Sequence, residues 1–314
     1  MSITGPSSSL RPQSHWVKCI STNGNLRGVG IEATSVLREL AQRHQLTPEG
    51  ARFLAEAAIG AFMLGSYCKA GERVNLNIQG SGHCSQVLVE SFPNGQFRGY
   101  AIERSGPVLS FDIQGPWGSG MLSVLRSKTE PGAQPWIGTV PLVTGHLAKD
   151  LTYYWAQSEQ VPTAIGIHVR LDDTGKVALA AGFLVQAMPG ATHEEIGKIE
   201  EHLKDLHQAE GHFQKVFEED ASQPMRLLSR VFQSTPFVKL EETPIEFKCS
   251  CSRERVENAM ILVGTQELRA MLHEDRGASV RCDFCATDYV VDSKRLEELI
   301  EESERRTGQP TGNS

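Results

Sequence analysis

Four cysteines near the C-terminus, Cys249, Cys251, Cys282 and Cys285, have the spacing of a metal-binding set. Cys249 and Cys251 form a C-x-C pair, and thirty residues further on Cys282 and Cys285 form a C-x-x-C pair. Two short chelating loops of this kind can each offer a pair of thiolates to one tetrahedral zinc ion, at about 2.3 Å per bond. The pattern predicts one zinc per chain in the reduced protein. Four protein ligands close the coordination sphere and leave no position for a substrate water, which argues against hydrolytic catalysis and against an enzyme. An oxidant that takes electrons from the four sulfurs would also remove the ligands. By residue chemistry alone, a purely structural zinc knuckle and a redox-active switch both remain open.

The other reactive side chains fit blander roles. Cys19, Cys68 and Cys84 lie in apolar or strand-like surroundings, where free cysteine packs as a small hydrophobe. His83 beside Cys84 is no evidence for a thiol–imidazole pair, because adjacent strand residues face opposite ways. The glycine-rich run at residues 115–120 lacks the Lys-Ser/Thr of a phosphate loop and is predicted to be a turn. His193, His202, His207 and His212 lack the i,i+4 spacing of a helical metal site and are predicted to lie on a solvated helix face.

The elements that must position these residues follow from periodicity and turn chemistry. Residues 16–21 and 26–31 flank Asn23-Gly24, a hairpin dipeptide. Thr47-Pro48 starts a helix whose apolar positions, Phe53, Leu54, Ala57, Ala58 and Phe62, run toward Cys68. Val74, Leu76 and Ile78 alternate, as do Ile165, Ile167, Val169 and Leu171, and turns at residues 93–95 and 172–175 make antiparallel sheet the economical reading. Residues 147–157 predict a short aromatic helix. Thr192 and Glu195 have capping-box spacing, and Ile196, Ile199, Leu203 and Leu206 follow as one stripe. Residues 192–220 hold nine acidic side chains against three lysines, a net charge of -6, with Gly211 interrupting. That predicts a helical linker of marginal intrinsic stability.

Between the cysteine pairs, Val256, Met260 and Val263 predict one helix ended by Gly264, and Leu268, Met271 and Leu272 a second. Residues 280–282 and 289–291 predict a hairpin around the second pair. So few apolar residues make a poor core, and zinc coupling worth about 10 to 16 kcal/mol would then decide folding. The fold class is α+β: a mostly antiparallel sheet domain with packing helices at residues 1–190, a helical, acidic linker at 191–244, and a small four-cysteine zinc domain at 245–314.

Bulk composition is that of a soluble globular chain, 314 residues long with 39% hydrophobic and 22% charged residues. The net charge of -7 argues against a broad phosphate-binding surface. The first sixteen residues contain no apolar run resembling a signal-peptide core, and the most apolar stretches are too short to span a bilayer, so a cytoplasmic protein is expected. Seven cysteines scattered over this length do not look like a secreted disulfide framework.

FKCSCSRERV at residues 247–256, RCDFC at 281–285 and Tyr289 resemble the zinc domain of the redox-regulated heat-shock chaperones, the 33 kDa chaperonin family. SEQVPT at 158–163, GFLVQAMPGA at 182–191 and LRG at 26–28 extend the resemblance over nearly the whole chain. It implies an ATP-independent holdase, inactive while zinc is bound and reduced, and active once the four cysteines form two disulfides. Its partners would be unfolding client proteins, bound by the N-terminal domain and the linker, and the oxidised form would tend to dimerise. The resemblance also implies local pairing, Cys249 with Cys251 and Cys282 with Cys285. The extra cysteines and a longer N-terminal leader depart from the family pattern. Two other functions compete. A zinc-knuckle nucleic-acid regulator is disfavoured by the net charge of -3 over residues 245–300. A thiol–disulfide oxidoreductase would want its C-x-x-C on a βαβ unit, which this pattern lacks.

Overall fold

The Asn23-Gly24 dipeptide closes the first hairpin: β1 (His15–Ser21) and β2 (Leu26–Glu32) pair antiparallel, with Gly24 at φ +78°. The computed structural model describes residues 14–106, 115–128, 130, 132–208, 212–233 and 235–307. After α1 (Thr34–Arg43), Thr47 caps α2 (Pro48–Ser66) by accepting a hydrogen bond from the Gly50 amide at 3.1 Å. Of the nineteen residues of α2, fifteen are buried, and a helix buried all round must be covered on both sides.

Two sheets provide that cover. The strands β3 (Glu72–Gly80), β4 (Cys84–Ser91), β5 (Gln96–Glu103), β6 (Gly120–Lys128) and β7 (Trp136–Pro141) come first along the chain. The helix α3 (Leu147–Tyr154) follows and runs into a single π-helical turn at Trp155–Glu159. Then come β8 (Thr163–Leu171) and β9 (Val177–Ala187), joined by the expected turn, in which Asp172 Oδ1 accepts from the Thr174 and Lys176 amides. One sheet has the order β5-β4-β3-β6-β7, with the short strand Glu246–Phe247 beside β5. The other is built on β1-β2-β9-β8. Val74, Leu76 and Ile78 from the first sheet, and Trp16, Val29, Ile31 and Leu184 from the second, join α2 in one core. The α+β class holds.

β9 explains an apolar run that alternation does not. Ala180 and Leu184 point to the α2 core, whereas Ala181, Phe183 and Val185 point to a second core on the opposite face. A strand buried on both faces reads as continuous hydrophobic sequence. The helices α4 (His193–Gln208), α5 (His212–Asp220) and α6 (Pro224–Phe232) make that second core through Ile199, Phe217, Leu227, Leu228, Val231 and Phe232. Gly28, within the LRG run, lies beneath the ring of Phe232. A Cβ there would come within 2.8 Å of that ring, so only glycine lets α6 approach so closely. The segments at 26–28, 158–163 and 182–191 also meet side chain to side chain. Arg27 donates to Gln186 Oε1 at 2.7 Å and stacks 4.0 Å above Tyr67, while Gln186 donates to Thr163 Oγ1 at 3.0 Å.

Residues 191–244, predicted as a helical linker, thus carry three helices docked on a sheet, and then the strand β10 (Phe237–Pro244), which pairs antiparallel with β1. A strand there was not foreseen. Of the predicted stripe, Ile199 is buried, Ile196 and Leu203 are half-buried, and the Leu206 side chain lies outside the described residues. β11 (Glu246–Phe247) follows, and the chain divides by contacts into two units, Met1–Lys248 and Cys249–Ser314.

The capping box forms as predicted: the Thr192 amide donates to Glu195 at 2.8 Å and the Glu195 amide donates to Thr192 Oγ1 at 3.2 Å. The same carboxylate accepts from the Asn25 side-chain amide at 2.9 Å and from that of Asn23, which fastens α4 to the first hairpin turn. Hydrogen bonds from the Thr192 amide, the Asn25 side chain and the Thr192 hydroxyl draw Glu195 down from 4.5 to about 2. A depressed folded value means that the stabilisation is complete above about pH 4.5 and is lost as pH falls toward 2. Amide protection in the first turn of α4 is therefore expected to fall across that window, and Glu195→Gln to remove most of the dependence. An unchanged pH profile in the variant would show that the clasp does not hold the helix.

Candidate metal centre

The second unit builds its site from two loops. Cys249 and Cys251 precede α7 (Arg253–Val263), whose N-cap Ser252 accepts from the Arg255 amide at 3.2 Å. The arginines of this run hold the loop in place: Arg255 donates to the Ser250 carbonyl at 2.7 Å, and Arg253 to the Val290 carbonyl at 3.1 Å. After α8 (Thr265–Glu274), β12 (Gly277–Arg281) and β13 (Asp288–Asp292) form the expected hairpin, with Val280 opposite Tyr289. Its connecting turn carries Cys282 and Cys285. The turn is closed by the Cys282 amide donating to the Thr287 carbonyl at 3.0 Å and by the Ala286 amide donating to the Cys282 carbonyl at 2.8 Å, with Ala286 left-handed at φ +53°.

All four sulfurs lie within 4.8 Å of one another. Around a tetrahedral ion with bonds of about 2.3 Å, sulfurs sit about 3.8 Å apart. The observed 3.7 Å for Cys249 to Cys282 and 3.3 Å for Cys251 to Cys285 fit that cage, so the group could hold a metal ion. Burial pushes Cys249 up to about 12 and raises Cys282. Burial also acts on Cys285, but hydrogen bonds from the Thr287 hydroxyl and amide outweigh it and bring that thiol down to about 7.

A small core supports the site, and it is better than the sequence suggests. Met260, Ile261, Leu268 and Val291 pack with Leu296, Leu299 and Ile300 from α9 (Ser293–Thr307), a helix not foreseen although its apolar residues recur at i, i+3 and i+4. Arg295 at its start reaches Glu257 of α7 at 2.9 Å.

The model of the Hsp33 protein family matches residues 14–292. The chain belongs to the Hsp33 family. It is 32% identical to the 33 kDa chaperonin of Enterococcus faecalis over 306 residues, which is 95% of this chain and 99% of that protein. To that of Desulfotalea psychrophila it is 32% identical over 289 residues, 90% of this chain and 96% of the other. The crystal structure of the 33 kDa chaperonin of Thermotoga maritima superposes with a TM-score of 0.81 at 30% identity, covering 93% of this chain and 99% of that one. Membership in this family supports a chaperone role.

The remaining sequence candidates belong to the first unit. Cys19, Cys68 and Cys84 are buried, and burial pushes Cys19 and Cys84 up to about 12, which leaves them poor nucleophiles. His83 lies 3.1 Å from both Glu103 Oε1 and Thr47 Oγ1, at the start of α2. The run at residues 115–119 is a turn that buries Trp117, whose indole donates to Glu56 at 3.0 Å. His202 donates to the Arg230 carbonyl at 2.8 Å, and the side chains of His207 and His212 lie outside the described residues. No helix among the described residues is long and apolar enough to cross a membrane.

Sequence reasoning carried Tyr289 only as part of the family resemblance and gave it no contact at the site. The Tyr289 hydroxyl donates to Cys251 Sγ at 3.1 Å, across 38 positions of chain, and this hydrogen bond raises the tyrosine to about 12.

Proposed function

We propose that this chain is a redox-regulated, ATP-independent holdase: zinc-bound and inactive when reduced, and active in cytoplasmic stress once oxidation has converted its four thiolates to two disulfides. The observation that carries this reading is a four-cysteine cluster that could hold a metal ion, in a chain of the Hsp33 family. Cys249, Cys251, Cys282 and Cys285 would hold one zinc per chain, and zinc supplies only a fixed charge and a cross-link there. Oxidation removes the ligands and with them the tie between the two loops. The fold supports a hidden client surface. Ile196, Ile199 and Leu203 line the inner side of α4, and the sheet beneath α4–α6 offers Ala181, Phe183 and Val185. Loosening residues 191–244 would expose both layers to clients, while the acidic outer face keeps the loaded complex soluble. In this reading residues 1–190 and the linker bind clients, residues 245–314 are the switch, and the oxidised protein forms a homodimer. No enzymatic step is required.

The oxidised protein is expected to suppress aggregation of a heat-unfolded client at near-stoichiometric ratio without ATP, and the reduced zinc form to do so poorly. Absence of suppression in either state, with zinc stably bound, would favour a zinc-knuckle nucleic-acid-binding regulator.

Local disulfides are expected, with Cys282–Cys285 forming before Cys249–Cys251. Once the loops separate, closure entropy favours neighbours over partners thirty residues away. An extended C-x-C places its Cα atoms near the upper limit of about 6.8 Å for a disulfide, so that bond should be strained and form later. Peptide mapping under non-reducing conditions through a peroxide time course reads both. Predominant cross-pairs, such as the near neighbours Cys249 with Cys282, would refute the pairing.

A further inference from the structure

Each cysteine pair contains one sulfur that meets a side-chain hydroxyl. Cys285 meets Thr287 at 3.2 Å, from within its own turn. Cys251 meets Tyr289 at 3.1 Å, and that hydroxyl comes from the other loop. Tyr289 stands on β13, opposite Val280 of β12, in the hairpin whose turn holds Cys282 and Cys285. A one-residue slip of this register would turn its side chain to the opposite face. Among the described residues, Cys249 meets no hydroxyl of this kind; its hydrogen bonds come from the Cys251 amide and the neighbouring sulfurs.

A hydroxyl donating to a thiolate draws electron density from the sulfur and weakens it as a nucleophile toward a peroxide. Such outer partners also fix the orientation of the ligand. The consequence lies in where this donor is anchored. A Cys282–Cys285 disulfide would rebuild the turn between β12 and β13, and a shift of that hairpin would take the donor away from Cys251.

We propose that Tyr289 is a positioning residue that makes the two oxidations sequential: its hydroxyl quiets Cys251 until the hairpin carrying Cys282 and Cys285 has moved. This rests on the thiolate-switch reading above. In each oxidation, one thiolate attacks a peroxide oxygen, the O–O bond breaks and hydroxide leaves, giving a sulfenic acid. The partner thiolate then attacks that sulfur and displaces a second hydroxide. Two sulfurs give up two electrons in all, and one peroxide is reduced.

The test uses the full-length, reduced, zinc-loaded protein and Tyr289→Phe, which keeps the ring and removes only the hydroxyl, with Thr287→Val as comparison. Site-resolved alkylation after timed exposure to hydrogen peroxide reads each cysteine separately, and a metallochromic chelator reads zinc in the same samples. In Tyr289→Phe, Cys251 is expected to react roughly five-fold faster, about the effect of one lost hydrogen bond, while Cys282 keeps its wild-type rate. The lag between C-x-x-C and C-x-C oxidation shortens accordingly. Thr287→Val should accelerate Cys285 and leave the early rate at Cys251 unchanged. Equal acceleration of all four cysteines would assign Tyr289 a merely structural role and overturn the proposal, as would an unchanged Cys251 rate. Wild-type protein that binds no zinc would sink the switch reading itself and this inference with it.

Discussion

Replacing Cys282 by serine is expected to abolish tight zinc binding and to unfold the second unit. The cluster has four ligands and no reserve. A serine hydroxyl keeps its proton at neutral pH and is a harder, weaker ligand than a thiolate, so the cage drops to three sulfurs. The coupling at stake is about 10 to 16 kcal/mol in small zinc motifs. Against it stands a core of Met260, Ile261, Leu268, Val291, Leu296, Leu299 and Ile300, which is small for a unit of this size. Metal analysis should find the variant depleted, and hydrogen exchange should show lost protection in β12, β13 and α9 while α2 stays protected. Treating the wild type with a chelator should reproduce the same exchange map. Retention of tight zinc by Cys282→Ser would refute the ligand assignment. Metal loss with α9 still protected would instead show that the core alone suffices.

The reduced, zinc-loaded Phe232→Ala variant is expected to hold clients without any oxidant. Phe232 is fully buried at the end of α6, with its ring 4.9 Å from Phe237 and close over Gly28. Truncating a buried phenylalanine costs about 3 to 5 kcal/mol. The layer that bears this loss is weak by construction. Helices α5 and α6 have nine residues each, too short to persist undocked, and residues 192–220 carry a net charge of -6. Exchange protection should therefore fall in α4–α6 while zinc content, set by residues 249–285, stays at the wild-type level. Aggregation assays on the reduced variant then separate the client surface from its switch. If α4–α6 exchange freely and the reduced variant still fails to hold clients, the surface under these helices is not where clients bind.

Sequence by itself determined the features whose physics is local. Two chelating pairs announce a metal site because four thiolates at such spacings have few other uses. Asn23-Gly24, Thr47-Pro48 and the Thr192/Glu195 box placed a hairpin and two helix starts where the structure has them, since turn and cap chemistry is settled within four residues. Gly264, at φ +107°, ends α7 as its position predicts. The alternation of Val74, Leu76 and Ile78 gave a strand and its buried face.

Tertiary structure decided whatever depends on partners distant in sequence. Residues 191–244 read as a marginal linker because their apolar stripe shows no partner in the sequence. The partner is the odd-numbered face of β9 together with Gly28, which only the folded sheet presents. β10 was hidden for the same reason, since its exposed, charged sequence becomes a strand by pairing with β1. The α9 stripe was present in sequence, but its weight as core depends on α7 and α8 folding back against it. At the metal centre the sequence named four sulfurs, yet their spacing could not say which lie closest. Nor could it show that Tyr289 reaches Cys251 across 38 positions, because the strand register of β12 with β13 sets which side chains meet, and register exists only once the hairpin is formed.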